Sequence, residues 1–178
     1  MRSTQSVVTV LLATLIIGTR ANAQCSGNAG SCNTSNTASV IIPALVKLGM
    51  SATTTSLTAP TADQVDLGAV IADAGPTFTV KANRSWTLNI RSGNPTNWTY
   101  VGSNSGVKSI SDLTWSNAVA GSFVAITATD AVLTSGAGAS SGTAAAAFFK
   151  TNYPAGLANA ANAPGTYSLP VVFTLTAP

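Results

Sequence analysis

Histidine and glutamate are absent from all 178 residues, and five aspartates are the only acidic side chains. Histidine titrates nearest neutral pH and is the commonest general base and metal ligand. Without it neither a Ser-His-Asp nor a Cys-His site can be built. Without glutamate the chain lacks the usual pair for glycoside hydrolysis. Charge of either sign is scarce, at 7% of residues. No internal repeat or convincing amphipathic helix is legible. These absences point away from an enzyme and toward a structural or binding protein.

What is present begins with an export signal. Arg2 supplies a positive start, residues 7–18 (VVTVLLATLIIG) form a short apolar run, and Ala21-Asn22-Ala23 is a small-x-small cleavage site. The run is too short to span roughly 30 Å of hydrocarbon comfortably, and no second one follows. Residues 1–23 therefore read as a signal peptide and Gln24 as the mature N-terminus, with secretion through the periplasm to the cell surface or medium. Gln24 separates the cleavage site from Cys25, which argues against lipidation. The alternative is an uncleaved N-terminal anchor.

The remaining 155 residues suit one domain with a real core. Six cations stand against five aspartates, so the working charge is about +1, well short of what the pI near 9.1 implies. Lys47, Lys81, Arg84, Arg91, Lys108 and Lys150 are scattered, which gives nucleic acid no basic patch. Weak self-repulsion suits a subunit that assembles. The two cysteines, Cys25 and Cys32, lie in CSGNAGSC and read as a local disulfide ring within a flexible leader, residues 24–37.

From residue 38 the pattern is that of strands. Val40, Ile42, Ala44, Val46 and Leu48 alternate within a first candidate, 38–51, where Pro43 suggests an edge position. A turn at Ala59-Pro60-Thr61 precedes a short apolar run, VDLGAVI. The strongest period-two signal is TFTVKANRSWTLNIR, residues 77–91. It places Phe78, Val80, Ala82, Trp86, Leu88 and Ile90 on one face and polar residues on the other. Asn83-Arg84 looks like a turn. A two-residue hairpin would throw Phe78 and Trp86 onto opposite faces, so the segment is either one long strand or has an odd loop. Further candidates are 98–101, 110–116, 123–128, 144–150 and 167–176, the last with Pro170 as an edge device. Many short strands joined by turns predict an all-β, immunoglobulin-like antiparallel β-sandwich over residues 38–178.

Three segments in this order carry a resemblance: IIPALVKLGMS followed by VDLGAVI, then TFTVKANRSWTLNIRSG, then GTYSLPVVFTLTAP. Together they cover about a third of the mature chain, and each is a generic strand pattern. They resemble the spore coat protein U type of secreted domain, itself similar to the pilins of archaic chaperone-usher fimbriae. The resemblance implies self-assembly or other surface subunits as partners, with a periplasmic chaperone and an usher. It also implies that the family's disulfide, between the first strand and the strand before the long hairpin, is replaced here by an apolar pair, Val46 and Val80. Pilins of this kind carry an alternating apolar extension that completes a neighbour's sandwich. The leader CSGNAGSCNTSNTAS has no such alternation. Either residues 38–48 are the donated strand, with Val40, Ile42, Ala44, Val46 and Leu48 lying beside the last strand of their own subunit or a neighbour, or the chain does not polymerise that way.

Three other groupings have a chemical reading. Trp98, Tyr100 and Trp115 form a candidate ligand platform for a sugar or peptide, against the commoner use of large aromatics in packing. Asp63, Asp66 and Asp73 cluster around a turn without any calcium-binding spacing; solvated turn residues are the commoner reading. Lys108 and Ser109 are adjacent, and neighbouring strand residues point to opposite faces, so no Ser-Lys nucleophile is suggested. The expected function is a secreted, non-enzymatic structural subunit of a fimbria, coat or other extracellular assembly, with no cofactor. The alternative is a secreted binding module that uses exposed aromatics on carbohydrate or protein.

Overall fold

A computed structural model of the chain describes residues 32–68, 72–154 and 156–178. The signal segment and Cys25 lie outside the described residues, and with them the Cys25–Cys32 ring. Two compact units are distinguished, Met1–Ile41 and Ile42–Pro178. In the first, the described residues 32–41 are exposed and form no regular element. All secondary structure among the described residues belongs to the second. Among these residues no helix is long and apolar enough to cross a membrane.

The fold is all-β, with antiparallel pairings throughout. Its elements are β1 (Val46–Met50), α1 (Ala62–Leu67), β2 (Asp73–Ala82), β3 (Trp86–Ser92), β4 (Thr99–Val101), β5 (Leu113–Ser116), β6 (Val124–Ala125), β7 (Ala131–Gly136), β8 (Ser140–Thr151), β9 (Thr166–Ser168) and β10 (Val171–Thr176). One sheet runs β1-β2-β8-β5-β6, a second runs β10-β3-β7, and β4 pairs with β9. A single core lies between the two larger sheets. Phe78, Val80, Leu113, Trp115, Ala147 and Phe149 come from the first; Trp86, Leu88, Ile90 and Leu133 come from the second. Alternation does the sorting. Along β2 and β3 the even-numbered residues Phe78, Val80, Trp86, Leu88 and Ile90 are at most 2% exposed, while their odd-numbered neighbours face outward.

β2 and β3 do not pair with each other. Residues 83–85 carry the chain from one sheet to the other. The odd number of linking residues keeps the parity that the sequence displays. Crossing, rather than folding back, is what lets both strands turn the same face to one core. The consequence is an immunoglobulin-like strand order. β1, β2, β8 and β5 occupy the positions of the four-stranded sheet of such a sandwich, and in the facing sheet β3 is central, with β10 and β7 on its two sides.

Several elements differ from the sequence expectation. The first strand starts at Val46, eight residues later than the alternation suggests. Its register pairs Leu48 with Val80 and Val46 with Ala82. The apolar partner directly across from Val80 is therefore Leu48, and Val46, 43% exposed, sits one diagonal step away in the same sheet. The Val46–Val80 pair implied by the resemblance does not form as a facing pair. The apolar run at 65–71 is too short to display a helical period, yet its first half belongs to α1. That helix opens with a capping box: Thr61 accepts from the Gln64 backbone, and the Gln64 side chain accepts from Thr61 N–H. Gly68, at φ +85°, closes it in the left-handed conformation that glycine tolerates best. The alanine run Ala144 to Ala147 belongs to strand β8, where Ala144, Ala145 and Ala146 face Thr79, Phe78 and Thr77 of β2. The last candidate divides at Leu169-Pro170 into β9 and β10, because proline cannot donate to a ladder. β7 has no clear signal in the sequence; only Leu133 of its side chains is fully buried.

Candidate assembly groove

β10 borders the three-stranded sheet. It pairs with β3 on one side, Phe173 opposite Ile90 and Leu175 opposite Leu88. Among the described residues no strand pairs with its other side. β3 lies inside the sheet and β10 at its edge. Burial records the difference. Ile90 and Leu88 are fully buried, whereas Val171, Phe173 and Leu175 pack against the same core but are only partly buried. An apolar edge left in this state offers both unpaired backbone groups and uncovered side chains.

Beside that edge is a groove of about 690 Å³. Leu169, Val171 and Phe173 form one wall, Met50 and residues 52–57 the other, and Trp98, Leu113 and Phe149 also line it. Among the described residues no charged side chain lines it. The 52–57 wall is an irregular Thr/Ser-rich stretch pinned at both ends. Ser51 N–H donates to Thr77 O at 2.9 Å and Ser51 Oγ accepts from Thr77 N–H at 2.9 Å. Thr58 donates to both carboxylate oxygens of Asp73, from its N–H at 2.9 Å and its hydroxyl at 2.5 Å.

The candidate assembly residues separate into two sets. Val46 and Leu48 lie in β1, paired with β2 in the sheet opposite β10. They do not complete a sheet beside the last strand of their own subunit. Ala44 is exposed and outside any strand. Val40 and Ile42 are 82% and 69% exposed, and Ile41, which lies off their alternation, is 93% exposed. Three consecutive large aliphatics without cover are unusual for an isolated soluble chain.

The aromatic platform does not come together. Trp115, 7% exposed, is part of the core. Trp98 packs against the core and donates its indole N–H to Ser109 O at 2.8 Å. Tyr100 packs against Tyr167, ring centroids 4.8 Å apart and tilted by 43°, and its hydroxyl donates to Pro164 O. Of the three aspartates, Asp63 and Asp66 lie in α1, and Asp73 is engaged by Thr58.

One polar centre is not evident from the sequence. Lys108, one of eight scattered cations along the chain, is 3% exposed. Its ammonium donates to Asn152 O at 2.6 Å, stands 3.6 Å from Asp112 and lies over the Tyr153 ring. Burial pulls its pKa below the ordinary value, and Asp112 partly opposes that pull. The i,i+4 spacing of Lys108 and Asp112 is the one signal that sequence offers for it. Ser109 instead caps the turn Ile110–Asp112, accepting from Ser111 N–H. The Lys108 centre reads as a buried fastening between the 108–112 turn and the end of β8.

No protein-family model matches the chain, and no curated protein does.

Proposed function

We propose that this protein is an exported, non-enzymatic structural subunit that assembles by strand addition. The apolar stretch around Val40, Ile41 and Ile42 of one copy fills the groove beside β10 of the next. The observation that carries the reading is the only partly buried inward face of β10 against the fully buried face of its partner β3. Strand addition supplies main-chain hydrogen bonds for affinity and alternate side-chain pockets for specificity. The charges agree: residues 32–46 carry none, and neither does the groove lining. The export signal, the low net charge and the resemblance to chaperone-usher pilins support the same reading. A periplasmic chaperone would cover the groove in transit, and an usher would order the exchange.

The test is the state of the mature chain, residues 24–178. Electron microscopy and sizing should detect filaments or a chaperone-dependent oligomer. The double variant Val40→Asp, Ile42→Asp should remain a folded monomer. A wild-type chain that stays monomeric with and without chaperone would overturn the proposal.

A further inference from the structure

The extension meets the domain at an unusual fastening. Pairing of β1 with β2 stops at Val46 and Ala82, because β2 turns away there to cross to the other sheet. The edge nevertheless continues through one side chain. Asn83 N–H donates to Leu45 O at 3.2 Å, the Asn83 side-chain oxygen accepts from Leu45 N–H at 2.9 Å, and its NH2 donates to Pro43 O at 2.8 Å. In the antiparallel register residue 45 faces 83 and residue 43 faces 85. A continued β2 would present the Asn83 carbonyl and the Ser85 N–H at these places. The Asn83 carboxamide has one acceptor and two donors, like a peptide group with one donor to spare, and it replaces both. Pro43 sits where its missing N–H costs nothing, since the strand that would accept from it has left.

We infer that Asn83 is a positioning residue for assembly. Its carboxamide holds residues 43–45 extended at the root of the segment that enters the neighbouring copy. This rests on the assembly reading above. A donated strand must be extended when it docks, and ordering backbone costs free energy for every residue fixed. Residues held extended beforehand remove part of that cost from docking. The clasp acts on the donor copy alone, since Asn83 is absent from the groove lining of the acceptor.

The experiment uses full-length mature chains and separates the two roles. An acceptor carrying Ile42→Asp, unable to donate, is immobilised, and donors are titrated onto it: wild type, Asn83→Ala, and Asn83→Asp. Asn83→Ala should bind about tenfold more weakly, the scale expected when two preorganising side-chain hydrogen bonds are lost. Asn83→Asp, which still accepts from Leu45 N–H, should lie between. Melting temperatures should stay close to wild type. With Ile42→Asp, Asn83→Ala together as acceptor, wild-type donor should bind as well as to Ile42→Asp alone. Equal binding by all three donors would overturn the inference, as would an equal loss in the donor and acceptor roles. If wild-type donor does not bind at all, the assembly reading falls first and this inference with it.

Discussion

The rings of Phe78 and Phe173 meet at 4.6 Å, tilted by 52°, and join the two sheets next to the open groove. Phe78 is 1% exposed and Phe173 only half-buried. The same contact thus has one end in the finished core and the other on an unfinished edge. Phe78→Ala should cost about 3–5 kcal/mol. Phe173→Ala should cost less in the isolated chain, because less of its surface leaves water on folding. Urea unfolding of the monomer checks this, and equal losses would mean that the groove is already covered.

Trp86 and Thr87 test the inward parity in a second strand. Trp86→Ala should cost roughly 3–5 kcal/mol, and Thr87→Ala less than about 1 kcal/mol. Gly136 guards the same tryptophan. A Cβ built there would lie 2.5 Å from the indole nitrogen, so Gly136→Ala should destabilise by about 1–3 kcal/mol through overpacking. Thermal or urea unfolding of the three variants reads all of these, and equal effects from Trp86→Ala and Thr87→Ala would reverse the parity.

The β1 register makes a prediction in cysteines. Leu48→Cys with Val80→Cys should form a disulfide, since facing residues hold their Cα atoms within about 7 Å. Val46→Cys with Val80→Cys stands on a diagonal, at about 7–8 Å, and should leave both thiols titratable. Efficient closure of the second pair would shift the register by two residues.

Lys108 should reveal itself in both mutation and pH. Asp112→Ala leaves a buried ammonium without its carboxylate and should cost about 3–5 kcal/mol, whereas replacing both partners with apolar residues of similar volume should be far milder. The lysine's pKa is depressed from its ordinary 10.5 by burial. The unfolded chain therefore holds that proton more tightly, and stability should rise as pH climbs from the folded pKa toward 10.5. Tyr153 and Tyr167 act oppositely. Burial raises both above 10.0, so their share is intact below that value and is lost as pH rises through their folded pKa values. Subtracting the Lys108→Met curve from wild type isolates the lysine, and a flat difference would contradict its burial.

Period-two alternation is local, so residues 77–91 are legible from their order alone: Phe78, Val80, Trp86, Leu88 and Ile90 have to share a face. The capping box Thr61-Gln64 is equally local but harder to recognise, because six residues make a helix too short for periodicity. Local pattern does not say which strand a strand meets. An odd three-residue link serves a wide hairpin or a crossing between sheets alike, and only packing makes residues 83–85 the crossing. Trp115 and Trp98 have the same chemistry as exposed platform residues; long-range neighbours place one in the core and tie the other to Ser109. Lys108 looks like any surface cation until the end of β8 folds over it. The pairing of Val80 with Leu48 rather than Val46 is likewise a matter of register, set where edge β1 meets β2. Sequence therefore determined which side of each strand is apolar, since that needs only adjacent residues. Tertiary structure decided which apolar sides are covered, and it left the inward face of β10 half-open because burial requires a partner that no strand among the described residues supplies.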